Sequence, residues 1–249
     1  MGLLKDKTII VTGAGGNIGQ AYCEGFLTEG ANVLAADLSD ISDTVQSWGA
    51  GDRVKAFRAN VLEQDDCDAM AKAAFDTFGR IDGIVNNAGF FKSASFGSFM
   101  DIAPDEWDLC YQVNVRGTWQ CCRAVYPYMK TQGAGRIINI SSNTPYKGIP
   151  NFLHYVSSKM AIVGLSRALA REIGGDGIIV NSLCPDLIPD DDIIERQGTA
   201  ANERTVSERC IKRTQLPEDM VGAAVFLLSD MSGFITGQSL LVNGGAHFN

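Results

Sequence analysis

The sequence predicts an α/β fold: a doubly wound parallel β-sheet of about seven strands, flanked by helices on both faces. Three observations carry this expectation. Strand-length apolar, β-branched runs alternate with helix-length amphipathic segments from end to end, no Pro/Ser/Gly-rich linker breaks the alternation, and the composition is that of an ordinary globule, 45% hydrophobic and 20% charged. Alternation of this kind suits a parallel sheet, because crossover helices cover it on either side.

The elements follow in chain order. Strands are expected at 8–11, 32–36, 54–57, 83–85, 136–140, 178–182 and 239–242. Between them, the segments 17–29, 64–78, 105–129, 155–173 and 217–228 carry apolar residues at three- and four-residue spacing. The chain 1–249 is therefore expected to form a single domain. The exception to the alternation is 186–215, which has Pro189, four acidic side chains between Asp190 and Glu195, and weak periodicity. A stretch of that length is usually functional or mobile in a compact domain, and it is read as an active-site lid.

Composition also excludes several functions. A formal net charge of −8 disfavours nucleic acid and anionic lipid, whose phosphates need clustered Lys and Arg. No run of about 18 apolar residues is available to span a membrane. The N-terminal residues lead into the first strand with no room for a signal peptide, so a cytoplasmic protein is expected. Seven cysteines without C-x-x-C spacing suggest neither a disulfide framework nor a zinc site. With His154 and His247 as the only histidines, a histidine metal cluster or a Ser-His-Asp triad has poor support, and no metal is expected.

After the first strand comes Thr12-Gly13-Ala14-Gly15-Gly16-Asn17-Ile18-Gly19, then a helix. A dinucleotide pyrophosphate needs a backbone that can approach closely and helix N-terminal amides to meet its charge; Gly13 and Gly19 suit those needs. A glycine-rich turn alone is often only a turn. The second strand, however, ends in Asp37, 18 positions after Gly19, where a carboxylate can accept from both ribose hydroxyls of an adenosine. That carboxylate would repel a 2′-phosphate, and neither the glycine loop nor Leu38 offers a basic residue to bind one, so NAD is favoured over NADP. Asn60 and Val61 follow the third strand, and Asn86, Asn87, Ala88 and Gly89 the fourth; they suit adenine and ribose contacts beyond the strand ends, or serve as turn formers.

Tyr155 and Lys159 stand four residues apart, on one face of a helix. A phenol serving as a base near neutrality must lose about 2 to 3 pKa units, and a neighbouring ammonium can supply much of that. Thirteen residues upstream, Ser142 lies at the end of the fifth strand, from where its hydroxyl can hold a substrate oxygen. Tyr-x-x-x-Lys alone also describes many ordinary helix faces.

Taken together and in this order, these residues resemble the short-chain dehydrogenase/reductase family, from about Lys5 to Gly245. The resemblance implies a Rossmann-type fold and a catalytic tetrad. In it, Tyr155 is the acid/base, Ser142 orients the substrate oxygen, Lys159 lowers the tyrosine pKa and holds the nicotinamide ribose, and Asn114 anchors a proton-relaying water. It further implies cofactor contacts from Gly13, Asn17, Ile18, Gly19, Asp37, Leu38, Asn60, Val61, Asn87, Ala88, Gly89, Tyr155, Lys159, Pro185 and Ile188. Asn17 stands where the family usually has a second glycine, and asparagine tolerates left-handed backbone. Asn60 replaces a frequent aspartate. The usual Pro-Gly becomes Pro185-Asp186, and Asp190 stands in place of a threonine that often touches the carboxamide. Both bear on how the nicotinamide is placed.

The implied activity is NAD-dependent exchange of a hydride with a secondary, cyclic or aryl alcohol or its carbonyl. An aromatic-rich set of Phe90, Phe91, Phe96, Phe99, Asn143, Tyr146, Phe152 and His154 falls in the stretches that form the family's substrate pocket. Arg209, Lys212 and Arg213 would suit an anionic substrate if one pointed inward, and mean little on a solvated face. The alternatives are an NADPH-dependent ketone or acyl-thioester reductase and a non-catalytic dinucleotide-binding regulator. Family members are commonly tetramers, so a homotetramer, or a homodimer, is implied, with Arg116, Trp119, Cys121 and Cys122 near a helix interface.

Overall fold

The computed structural model describes residues 2–190, 194–195 and 199–248. All seven expected strands form: β1 (Thr8–Thr12), β2 (Asn32–Asp37), β3 (Val54–Arg58), β4 (Gly83–Asn86), β5 (Gly135–Ile140), β6 (Ile178–Pro185) and β7 (Ser239–Val242). They pair in parallel in the order β3-β2-β1-β4-β5-β6-β7. Successive strands are thus added outward in opposite senses from β1 and β4, leaving a crevice beyond the carboxyl ends of these two strands. This is the doubly wound, Rossmann-type α/β arrangement expected from the alternation.

Nine α-helices are described: α1 (Asn17–Thr28), α2 (Ser42–Ser47), α3 (Gln64–Phe78), α4 (Pro104–Tyr111), α5 (Thr118–Gln132), α6 (Thr144–Lys147), α7 (Leu153–Ile173), α8 (Ala200–Glu208) and α9 (Val221–Leu228). Strand alternation explains why both faces are covered. Ile9 and Val11 of β1 point into a core shared with Tyr22 and Phe26 of α1 and Leu227 and Leu228 of α9, whereas Ile10 joins Met70, Val125 and Met129 of α3 and α5 on the opposite face. Among the described residues, no helix is long and apolar enough to cross a membrane.

One expectation needs correction. The single helix at 105–129 is interrupted: α4 and α5 are joined by a wider π-type turn over Gln112–Gly117. The lid span 186–215 contains α8. Asp191, Asp192, Ile193, Arg196, Gln197 and Gly198 of that span lie outside the described residues.

Candidate active site

Beyond the carboxyl ends of the strands, a cleft of about 510 Å³ runs from the glycine loop to the lid. At one end Gly13 takes φ +64°, and a Cβ on it would fall 2.9 Å from Ala88 Cα. A Cβ at Gly19 would meet Gly13 O at 2.1 Å, so only glycine lets α1 seat on the loop. The loop is tied to β4 through Thr12, whose hydroxyl accepts the Asn87 and Ala88 N–H groups at 3.1 Å, while Asn87 Nδ2 donates to the Thr12 and Gly13 carbonyls. This linking role of Thr12 left no trace in the hydropathy pattern. Asn17 opens α1 with right-handed backbone, since the only described non-glycine residues at positive φ are Asp6 and Asn151. Its tolerance of left-handed backbone is therefore not called on.

The cradle fits a dinucleotide. Gly16 caps α1 without a side-chain hydrogen bond and no acidic residue occupies the first turn, so free N-terminal amides face the cleft wall formed by Gly16, Asn17 and Ile18. Asp37, also on that wall, accepts from Gly15 N at 2.9 Å and Ser39 N at 3.0 Å, which aims its carboxylate beside the loop. Leu38, Asn60 and Val61 lie outside the cleft walls; Leu38 is exposed, and Asn60 Oδ1 accepts from Leu62 N. Arg58, paired in register with Asp37, donates through Nε to the Leu38 carbonyl. It is a basic group near the end of β2 that inspection of β2 alone missed.

At the other end stand Ser142, Tyr155 and Lys159 on the cleft wall, all at most 6% exposed. Lys159 Nζ donates to Ile140 O at 3.0 Å and lies 5.7 Å from the Tyr155 ring centroid. Burial pushes its pKa down to about 8. Burial also drives the Tyr155 phenol well above its usual range, with the Ser142 hydroxyl acting in the opposite direction. The Lys159 ammonium is directed at the Ile140 carbonyl, and Ser142 is the neighbour that opposes the effect of burial on the phenol. Ser142 Oγ accepts from the Thr144 N–H at 3.1 Å.

Asn114 sits behind this wall, fully enclosed in the π-type turn. Its Oδ1 accepts from Phe90 N at 2.7 Å and its Nδ2 donates to Ser158 Oγ at 2.9 Å. A Cβ on Gly89 would come within 3.4 Å of both Asn114 Oδ1 and Lys159 Nζ, so that glycine keeps the space between them open. Pro185 and Ile188 complete the wall beyond β6.

On the substrate side, Phe96, Phe152 and Tyr155 stack in series, with centroids 4.0 and 4.5 Å apart, and Phe91 packs 5.2 Å from Tyr155. Of the aromatic-rich set, Phe91, Phe96 and Phe152 line the cleft. Phe99 is exposed, Tyr146 faces the His247 ring, and His154 is buried 3.1 Å from a Glu106 oxygen. Asp190 pairs with Lys92 at 2.9 Å across the mouth. Arg209 does point inward, but Asp186 and backbone carbonyls take its donors, while Lys212 and Arg213 remain exposed. The anionic-substrate reading of this cluster therefore loses its basis.

The sequence profile of a family described as Enoyl-(Acyl carrier protein) reductase matches residues 13–247. The chain is 35% identical over 251 aligned residues to 2-(S)-hydroxypropyl-CoM dehydrogenase 3 of Xanthobacter autotrophicus, covering 97% of each chain. It is 32% identical over 245 to the 3-oxoacyl-(acyl-carrier-protein) reductase FabG of Thermotoga maritima, covering 97% of this chain and 98% of that one. The crystal structure of a Brucella melitensis protein described as short-chain dehydrogenase/reductase and glucose/ribitol dehydrogenase superposes with a TM-score of 0.88 at 27% identity, over 100% of this chain and 99% of that one.

Proposed function

We propose that this chain, which belongs to the short-chain dehydrogenase/reductase family of oxidoreductases, interconverts a secondary, cyclic or aryl alcohol and its carbonyl with NAD as cofactor. The observation that carries this reading is the convergence of Ser142, Tyr155 and Lys159 on the same cleft as the glycine loop and Asp37. When bound, the dinucleotide would supply or accept the hydride. Gly13, Asn17, Ile18, Gly19 and Asp37 would hold its adenosine and pyrophosphate, and Asn87, Ala88, Gly89, Lys159, Pro185 and Ile188 its nicotinamide half, with Leu38, Asn60 and Val61 at the adenine end.

Ser142 orients the reacting oxygen and Tyr155 exchanges a proton with it. The protonated phenol favoured by burial suits donation to a carbonyl oxygen; for the reverse reaction, Ser142 and Lys159 are the groups available to lower it. Asn114, held through Phe90 and Ser158, would anchor the water that relays the proton. The Phe96–Phe152–Tyr155 stack favours a flat, apolar substrate.

The test is a screen of secondary alcohols and ketones by NADH absorbance, run in parallel with NADP. Turnover with NAD is expected. Dinucleotide binding without turnover anywhere in the screen would favour the non-catalytic regulator instead. An NADPH-linked ketone or acyl-thioester reductase is the second reading, favoured by Arg58 and by the activity for which the Thermotoga relative is named. The variants Asp37→Ser and Arg58→Ala separate the two. We expect Asp37→Ser to lower the NAD/NADP ratio of kcat/KM by roughly tenfold or more, through loss of charge-assisted hydrogen bonds. Arg58→Ala should leave NAD use unchanged; a selective loss of NADP use in that variant, with NADP preferred by the unmodified protein, would reverse the assignment.

We also propose one domain over 1–249 with a lid at 186–215, a cytoplasmic location and a homotetramer or homodimer. Two apolar surfaces support assembly: a groove formed by Tyr111, Val115, Trp119 and Leu165, and the exposed Phe234, Leu240 and Phe248 near β7.

A further inference from the structure

Asp186 and Arg209 meet inside the protein, where the end of β6 abuts the end of β5. Arg209 Nε lies 3.1 Å from Asp186 Oδ2, with the side chains 1% and 6% exposed. The remaining guanidinium donors go to the Leu187 and Arg213 carbonyls, at 2.8 and 2.9 Å. The other carboxylate oxygen accepts from Asn143 Nδ2 at 3.2 Å and faces Lys147 Nζ at 3.3 Å, which in turn pairs with Glu208 of α8. The backbone is fixed by the same partners: Asn143 N donates to Pro185 O at 2.7 Å, and Asp186 N donates to Gln215 Oε1 at 3.2 Å.

A buried ion pair is an inefficient source of stability, because apolar residues of the same volume serve as well or better, whereas removing one partner strands the other charge. What this pair does supply is geometry. Its carboxylate joins Asn143, the immediate neighbour of Ser142, to the segment 185–188, which lines the same cleft as Tyr155 and Lys159. Its guanidinium grips the same segment at Leu187 and anchors the end of α8. We propose that Asp186 is a positioning residue: through Asn143 and Arg209 it fixes the segment 185–188 against the Ser142 strand end, and so sets the affinity for the nicotinamide half of the cofactor. This rests on the dinucleotide reading above. It also gives the acidic residue at this position a purpose, since its charge is spent on Arg209 and Lys147.

The test compares NADH with ADP-ribose, which lacks the nicotinamide, by calorimetry on the intact protein. Asp186→Asn leaves Arg209 without its partner and is expected to lose about tenfold in NADH affinity while ADP-ribose affinity stays within about twofold. Because that variant can unfold, the double variant Asp186→Ala/Arg209→Met, which removes both charges, is measured beside it with its thermal midpoint. A double variant that melts near the unmodified protein yet has lost the NADH/ADP-ribose difference supports positioning. One that folds and keeps the difference overturns it and leaves only a structural role. An unmodified protein that binds neither ligand overturns the dinucleotide reading itself, which separates the two failures.

Discussion

Replacing Tyr155 by Phe is expected to lower kcat by roughly 10²- to 10⁴-fold, the usual contribution of a positioned acid/base, while NADH binding changes little. The two readouts separate because the ring and the hydroxyl do different work. The ring is the inner member of the Phe96–Phe152–Tyr155 stack and is packed by Phe91, so phenylalanine preserves the wall. The hydroxyl is the only part of the side chain that can exchange a proton, and Ser142, though on the same cleft, is an alcohol too weakly acidic to replace it near neutrality. Single-turnover absorbance and NADH fluorescence titration check the two halves. Turnover in Tyr155→Phe equal to that of the unmodified protein would remove Tyr155 from the chemistry.

Gly19→Ala is expected to damage both the fold and the dinucleotide cradle. The added methyl group would sit 2.1 Å from Gly13 O and 2.8 Å from Ala14 Cα, both backbone atoms that have no rotamer to adopt. Either α1 lifts from the loop or the Gly13 carbonyl turns, and the second response breaks its hydrogen bonds with Asn87 Nδ2 and Gly16 N. Overpacking of this kind costs about 1–3 kcal/mol in stability. The larger effect is on ligand affinity, because the amides of the first turn lose their aim. A lowered thermal midpoint together with NADH affinity reduced by about a hundredfold is the expected result. Unaltered NADH affinity would show that the pyrophosphate does not sit against this turn.

The sheet and its covering helices were legible because burial on both faces writes long apolar runs into parallel strands. Their carboxyl ends were less so: β1, β2, β3, β4 and β6 each extend one to three residues past the apolar run, to Thr12, Asp37, Arg58, Asn86 and Pro185. These ends border the crevice, where polar residues are favoured, so hydropathy stops where the site begins. The candidate tetrad came from the family resemblance, and the structure brings its Ser142, Tyr155 and Lys159 to one cleft wall. Their energetics were not legible, since sequence does not reveal that Lys159 spends a donor on Ile140 O. Nor does it reveal that Asp186, which looked like an obstacle to the nicotinamide, has its charge met by a residue 23 positions away.

The π-type turn at Gln112–Gly117 has a consequence for variation in chain length. A helix of 3.6 residues per turn advances about 100° with each residue, so a segment wound more widely acts as a phase shift between its two flanks. Deleting one residue there would let α4 and α5 merge into a continuous helix with their faces nearly in phase, because the wider winding has absorbed one residue more than an α-helix needs over the same angle. What such a deletion would remove is the bulge itself, from which Asn114 reaches Phe90 and Ser158, while the α5 face that packs on α3 stays in the core. The wide turn thus lets the packing of α4 and α5 outlast the loss of one residue, while the placement of Asn114 does not survive it.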